Sequence, residues 1–233
     1  MTTISRRSTV LIAAITGLAA GVAGTVLGGL LPMRDKSLHD YLVSHPEVLT
    51  EMVDALKAKD SAKQLAQVGP KALQEWPGAV LGNPAGKTVL VEFMDFACGY
   101  CKASEAEVAK VLAANPDVKL VIRQLPILSP ESADAAKMGL AAARQGKYAA
   151  FHKAMFATGH PNAESIAAAA KAAGVDLAAA QKVIADPAAQ AEIESNLAMA
   201  RTLGINGTPS WIASGKVLGG ALDAASLQSA IAG

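Results

Sequence analysis

The feature that most restricts this chain is a pair of cysteines three residues apart in Phe96-Ala97-Cys98-Gly99-Tyr100-Cys101-Lys102, with no other cysteine anywhere in its 233 residues. A small scaffold stapled by bridges would carry more cysteines, spread along its length. A zinc site would need further ligands, and His39, His45, His152 and His160 show no ligand-pair spacing. What remains is a chemically active dithiol. Its setting agrees: Lys87 to Phe93 is a strand-like run of β-branched and apolar residues, and Cys98 to about Ala114 is helical, ended by Asn115-Pro116. A cysteine opening a helix meets unpaired N–H groups and the positive end of the macrodipole, both of which favour the thiolate. Such placement brings a thiol pKa from about 8.5 into the range of about 3.5–7.5. Disulfide exchange needs one thiolate that attacks and a second thiol close enough to resolve the mixed disulfide. Cys98 is expected to be the exposed, attacking sulfur and Cys101 the resolving one. Gly99-Tyr100 brings no positive charge between them, so Cys98 is expected to be less acidified than it would be beside a histidine.

Around this pair the pattern reads β-α-β, a helical insertion, then β-β-α. Val80-Leu81 is a short strand before the turn Gly82-Asn83-Pro84-Ala85-Gly86, and Val118 to Leu125 is the strand after the helix. From Glu131 to about Leu203 the composition is helical, with breaks at Gly146, Gly159-His160-Pro161, Gly174 and Asp186-Pro187. Ser210–Ala213 and Lys216–Leu218 form a hairpin through Ser214-Gly215, and Asp223 caps a last helix. This is a thioredoxin layout with a helical domain spliced in at about 129–204, an α/β fold. Two more positions bear on chemistry. Gly207-Thr208-Pro209-Ser210 precedes the hairpin, where such a domain places a cis-proline beside the dithiol, leaving the backbone of Thr208 to pair with an extended substrate. Glu92 sits mid-strand, where a carboxylate is costly to bury; it reads either as a proton acceptor beneath Cys101 or as an edge-strand side chain facing water.

The N-terminus reads as a targeting segment. Ser5-Arg6-Arg7-Ser8-Thr9 is a basic start to an apolar run from Val10 to Leu31. The paired arginines resemble a twin-arginine export signal, though Thr9 stands where such signals carry a large apolar residue. The run exceeds the usual apolar core of about 7–15 residues and reaches the roughly 20 needed to span a bilayer. Residues 1–31 are therefore a cleaved signal peptide or a retained anchor, and either delivers the rest across the membrane. Residues 32–75 form a helical stalk: Leu38, Tyr41, Leu42, Leu49, Met52, Val53 and Leu56 recur at helical spacing. Pro46 breaks it into two helices, with Ser44 or His45 capping the second. The stalk's apolar stripe must fold onto the main domain, 76–233, or find a partner chain. With a net charge of +1 the chain has no electrostatic footprint for nucleic acid.

Val91-Glu92-Phe93-Met94-Asp95-Phe96-Ala97-Cys98-Gly99-Tyr100-Cys101, with Gly207-Thr208-Pro209 downstream, resembles the DsbA-like family of exported thiol-disulfide oxidoreductases. The resemblance runs from about Val80 to the C-terminus and includes Phe151-His152-x-x-Met155-Phe156. It implies Cys98 as nucleophile, Cys101 as its partner, Pro209 as the cis-proline, Glu92 as the buried acid, and Gly99, Tyr100 and Thr208 against the client. No cofactor is implied beyond the redox-active Cys98–Cys101 disulfide, and no metal. Threonine before the proline resembles the family's isomerases and reductases. Leu38 to Leu49 resembles the N-terminal oligomerisation segment of the ScsC-like branch, linked to copper tolerance, where such segments trimerise. The implied protein works in the periplasm or another extracytoplasmic space. It forms or isomerises disulfides in unfolded or misfolded exported proteins and is recycled by a membrane redox partner. Two alternatives stand beside it: a monomeric, membrane-tethered oxidase, and a copper-tolerance protein holding Cu(I) between the two thiolates.

Overall fold

The run after Lys87 becomes the central strand of a five-stranded sheet. The computed structural model describes residues 31–233. The signal-or-anchor reading falls, save for residue 31, outside the described residues. Among the described residues no helix is long and apolar enough to cross a membrane.

By its contacts the chain divides into two units, the first ending at Leu56 and the second running from Lys57 to Gly233. Two helices meet at the predicted break: α1 (Leu31–Ser44) and α2 (Glu47–Val68). Ser44 and His45, the expected caps of α2, turn their side chains back to the end of α1. Ser44 Oγ turns back to the carbonyls of Asp40 and Tyr41, at 2.8 and 2.9 Å. His45 stacks on Tyr41 at 4.2 Å and sets Nδ1 3.0 Å from its carbonyl. The last carbonyls of a helix lack partners along the chain, and these side chains supply them. Leu38, Tyr41, Leu42, Val43, Leu49, Met52, Val53 and Leu56 are all exposed.

In the second unit a 3₁₀ turn (Gly69–Leu73) leads to β1 (Val80–Gly82) and β2 (Thr88–Met94), then α3 (Gly99–Ala114) and β3 (Val118–Gln124). The insertion follows as α4 (Pro130–Arg144), α5 (Tyr148–Thr158), α6 (Ala163–Ala172), α7 (Leu177–Ala185) and α8 (Pro187–Thr202). The chain ends with β4 (Ser210–Ala213), β5 (Lys216–Gly219) and α9 (Ala224–Ala232). Every predicted break in the insertion is a loop, and local chemistry explains why. Ser129, Asn162, Asp176, Asp186 and Asp223 each accept a backbone N–H as N-cap, and prolines open α4 and α8.

The strand order is β1-β3-β2-β4-β5, with β2 and β3 parallel and the other pairs antiparallel. Strand alternation sends Leu90, Glu92 and Met94 of β2 to one face. There Leu90 and Met94 meet Leu120, Ile122, Trp211 and the apolar sides of α3, α9 and the insertion. Val91 and Phe93 go to the other face, against Val121, Ile212, Met199 and Leu203. Leu65, Val68 and Ala72 close that second layer, so the end of α2 belongs to this unit's core. Both faces are covered, which is why β2 reads as a continuous apolar run broken only by Glu92. The approach to β1 is equally close: at Gly78, φ +87°, a Cβ would lie 2.3 Å from the Ala143 carbonyl oxygen on α4.

Candidate functional site

Cys98 is the N-cap of α3, and its Sγ accepts the N–H of Cys101 at 3.4 Å. The turn before it is held by Asp95, itself 1% exposed. The Asp95 carbonyl takes the Cys98 N–H at 3.0 Å. Its carboxylate takes the N–H groups of Ala97, Ile127 and Leu128 at 2.8, 2.9 and 3.0 Å. One short side chain thus joins the dithiol turn to the loop leaving β3. Sequence reading missed this, although an aspartate ahead of a helix is a known loop former.

Thr208-Pro209, 110 residues downstream of Cys98, comes back to the dithiol. The Thr208–Pro209 peptide is cis, and the Cys98 thiol donates to the Thr208 carbonyl at 3.2 Å. That contact corrects one expectation. Cys98 is 6% exposed, hence buried rather than exposed, with the Thr208 turn lying against its sulfur. Access remains through a cleft of about 230 Å³ lined by Phe96, Lys102, Gly159 and His160. Lys102 gives this cleft the positive charge that Gly99-Tyr100 lacks, with the His160 imidazole beside it; the helix sequence alone did not point to either. Gly99 and Tyr100 are exposed on the surface beside the sulfur, Tyr100 at 71%.

Behind the sulfurs the site is closed. Cys101 is 0% exposed and Glu92 1%. Glu92 lies on the central strand, paired with Ile122 on one side and Trp211 on the other, so the edge-strand alternative does not apply. Its Oε2 has no hydrogen-bond partner among the described residues, nor does His152 Nε2. Burial pushes the Glu92 carboxyl well above the usual carboxylate range, and the nearby charges of Glu105 and Cys98 push it the same way. Burial likewise raises the Cys101 thiol far above a free thiol, with Glu92 adding to the rise and the Asp95 backbone and Thr208 hydroxyl opposing it. Both shifts favour the protonated forms of the acid and the thiol beneath the attacking position. Tyr148, also raised by burial and by the two glutamates, accepts a hydrogen bond from Gln124 at 2.8 Å. Phe96 ties the active turn to α5, with ring centroids 5.6 Å from Phe151 and 5.3 Å from Phe156. The structure thus brings Glu92, Cys98, Cys101, Thr208 and Pro209 into one place, with Gly99 and Tyr100 on its rim.

A dithiol at a helix N-terminus, flanked by a cis-proline turn and backed by a buried acid on a mixed sheet, defines a thioredoxin-fold dithiol protein. Residues 75–232 match the family model described as thioredoxin, and residues 36–63 match the copper resistance protein ScsC N-terminal domain. The chain belongs to the thioredoxin family, as a DsbA-like, ScsC-like member with an N-terminal helical segment. Among solved structures it is similar to a thioredoxin-like oxidoreductase from Silicibacter pomeroyi DSS-3, 40% identical, covering 66% of this chain and 89% of that one with a TM-score of 0.63. A linker-deletion mutant of Proteus mirabilis ScsC is 27% identical, covering 84% and 90% with a TM-score of 0.68. The thiol-disulfide exchange protein α-DsbA2 of Wolbachia pipientis is 26% identical, covering 76% and 97% with a TM-score of 0.69. A curated relative, the Na(+)/H(+) antiporter NhaA of Herminiimonas arsenicoxydans, is 31% identical over 150 residues, 62% of this chain. The chain spans about a quarter of that relative's length.

Proposed function

We propose that this protein is an exported thiol-disulfide oxidoreductase that isomerises disulfides in exported polypeptides. The observation that carries the reading is the position of Cys98 Sγ, held between the Cys101 N–H and the Thr208 carbonyl with Glu92 closed in behind. The Cys98 thiolate attacks a client disulfide, forming an S–S bond to one client sulfur and expelling the other as a thiolate. From there the mixed disulfide resolves in one of two ways. In isomerisation a client thiolate attacks the client sulfur bound to Cys98, giving a new client disulfide and returning the Cys98 thiolate, with no net change in electrons. In reduction Cys101 attacks Cys98 and releases the client thiolate. As its sulfur attacks, Cys101 gives its proton to the ionised form of Glu92, whose raised pKa makes it a stronger base than a free carboxylate. The reverse of that second route is client oxidation.

Three features favour isomerisation. Threonine precedes the cis-proline, the Gly99-Tyr100 dipeptide adds no charge to the pair, and α1 with the first turns of α2 presents apolar side chains suited to joining copies of the chain, as a trimer in this proposal. Export is supported by the basic and apolar N-terminal segment, which assigns the work to an extracytoplasmic space where disulfides persist. A membrane redox partner would hold Cys98 reduced. The test is reactivation of scrambled ribonuclease by the reduced protein. We expect recovery of ribonuclease activity, lost in Cys98→Ser. No recovery, together with rapid oxidation of reduced ribonuclease by the Cys98–Cys101 disulfide form, would replace the isomerase with an oxidase.

A further inference from the structure

The helix that precedes the sheet changes character along its length. Leu65 and Val68 of α2 seal the second layer of the core. Lys57, Asp60, Ser61 and Gln64 recur at the spacing of one helical face, and that face is polar. It forms one wall of a cleft of about 500 Å³. The other wall is the segment Leu203 to Ser210, including Thr208 and Pro209, and the floor is Val217 to Gly220. The cleft therefore runs directly into the turn that touches Cys98 Sγ.

Glycines are frequent along its lining. Gly204, Gly207, Gly219 and Gly220 all border it, and a Cβ added at Gly207, Gly219 or Gly220 would meet nothing within 4 Å. The floor is β5, the last strand in the order β1-β3-β2-β4-β5, so one of its edges has no strand partner among the described residues. An open strand edge, bare glycine backbone and a polar helix wall suit an extended polypeptide held through its main chain. A compact metabolite would call for convergent side chains, and an acyl chain for an apolar wall.

We propose that the Lys57–Gln64 face of α2 is the outer wall of the client-binding cleft. In this arrangement an extended client segment lies between α2 and β5 and delivers its disulfide past Thr208 to Cys98. The inference rests on the exchange reading above and extends it. The segment that leads out of the N-terminal unit would itself touch the client, and recognition through main chain would admit many sequences.

Two disulfides of different size separate this from the chemistry. The probes are insulin, a disulfide-bonded polypeptide, and oxidised glutathione, which has no extended segment beyond its tripeptide arms. Asp60→Trp and Gln64→Trp should each lower the ratio of the insulin rate to the glutathione rate by about tenfold, about 1.4 kcal/mol of transition-state binding. An unchanged ratio in both variants overturns the inference. Amide exchange on the Cys101→Ser protein, trapped through Cys98, gives a measurement independent of those variants. Protection of Val217–Gly220 should appear in the mixed disulfide with an insulin chain and be missing in that with glutathione. Equal protection in both overturns the inference. A parent protein inert towards both disulfides would sink the exchange reading itself, and the cleft assignment with it.

Discussion

Glu92 pairs two roles that pull against each other, and a single substitution separates them. Enclosed in the sheet, its carboxyl has a folded-state pKa well above the unfolded value of about 4.3. Below that unfolded value the side chain is neutral in both states and costs little. As pH rises through it, the unfolded chain releases a proton that the folded chain retains, so stability falls until the raised folded pKa is passed. Glu92→Gln removes that loss while keeping size and polarity. Its Tm should exceed the parent's by several degrees at pH 7 and match it at pH 4, as thermal melts at the two pH values would show. The same change removes the proton acceptor under Cys101. Resolution of a Cys98 mixed disulfide by Cys101 should slow by on the order of a hundredfold, read by quenching the reaction and quantifying the adduct. Unchanged resolution with higher stability would make Glu92 a burden of the fold with no part in proton transfer. Two other residues mark where sequence reading stopped. The dithiol, Glu92 and Thr208-Pro209 were legible because each is a local oddity: a lone cysteine pair, a charge inside an apolar strand, a proline ahead of one. The burial of Cys98 was not, because it depends on residues 110 positions away. The threefold grip of the Asp95 carboxylate was hidden for the same reason, since two of its donors belong to another loop.

At the scale of elements, caps and breaks carried the reading. Asp186 and Asp223, Gly146 and Gly174 stop or start helices by chemistry confined to a few residues, and the structure follows them closely. Arg123 shows what such local signals leave out. An arginine in β3 suggests a solvent-facing side chain, yet it is 4% exposed on the face of the sheet that α2 and α8 cover. Its guanidinium donates to the carbonyls of Lys71, Ala72 and Gln74 and to Asn196 Oδ1, and it pairs with Glu192 at 3.4 Å. The end of the 3₁₀ turn, the sheet and α8 thus share one cation. Burial lowers its pKa and Glu192 acts against that, so the charge is held by its partners. Replacing it with methionine keeps much of the volume and strands those carbonyls. Removing one partner of a buried ionic network costs about 3–5 kcal/mol, and Arg123→Met should lose that much in urea unfolding followed by far-UV circular dichroism. A loss below about 1 kcal/mol would mean that water replaces the guanidinium freely.

For the molecule as a whole, the informative boundary is Leu56. The sequence reads 32–75 as one stalk because its apolar residues share a helical period, and period alone does not reveal which of them find a core. Most of the large apolar side chains from Leu38 to Leu56 are left exposed, while Leu65, Val68 and Ala72 are packed against the sheet. A contiguous exposed apolar row on a helix favours association with another surface of its kind. If copies of the chain join through that row, several Cys98 sulfurs face one misfolded client, and a disulfide broken by one can be re-formed by the next at high effective concentration. A deletion ending at Leu56 should therefore give a monomer by light scattering that keeps insulin and glutathione exchange but loses scrambled-ribonuclease reactivation. A deletion extended to residue 70 would also remove Leu65 and Val68 and should lower the Tm, so the shorter cut is the one that isolates assembly. Full isomerase activity in a monomeric 57–233 protein would show that one dithiol suffices and would leave the N-terminal helices another task.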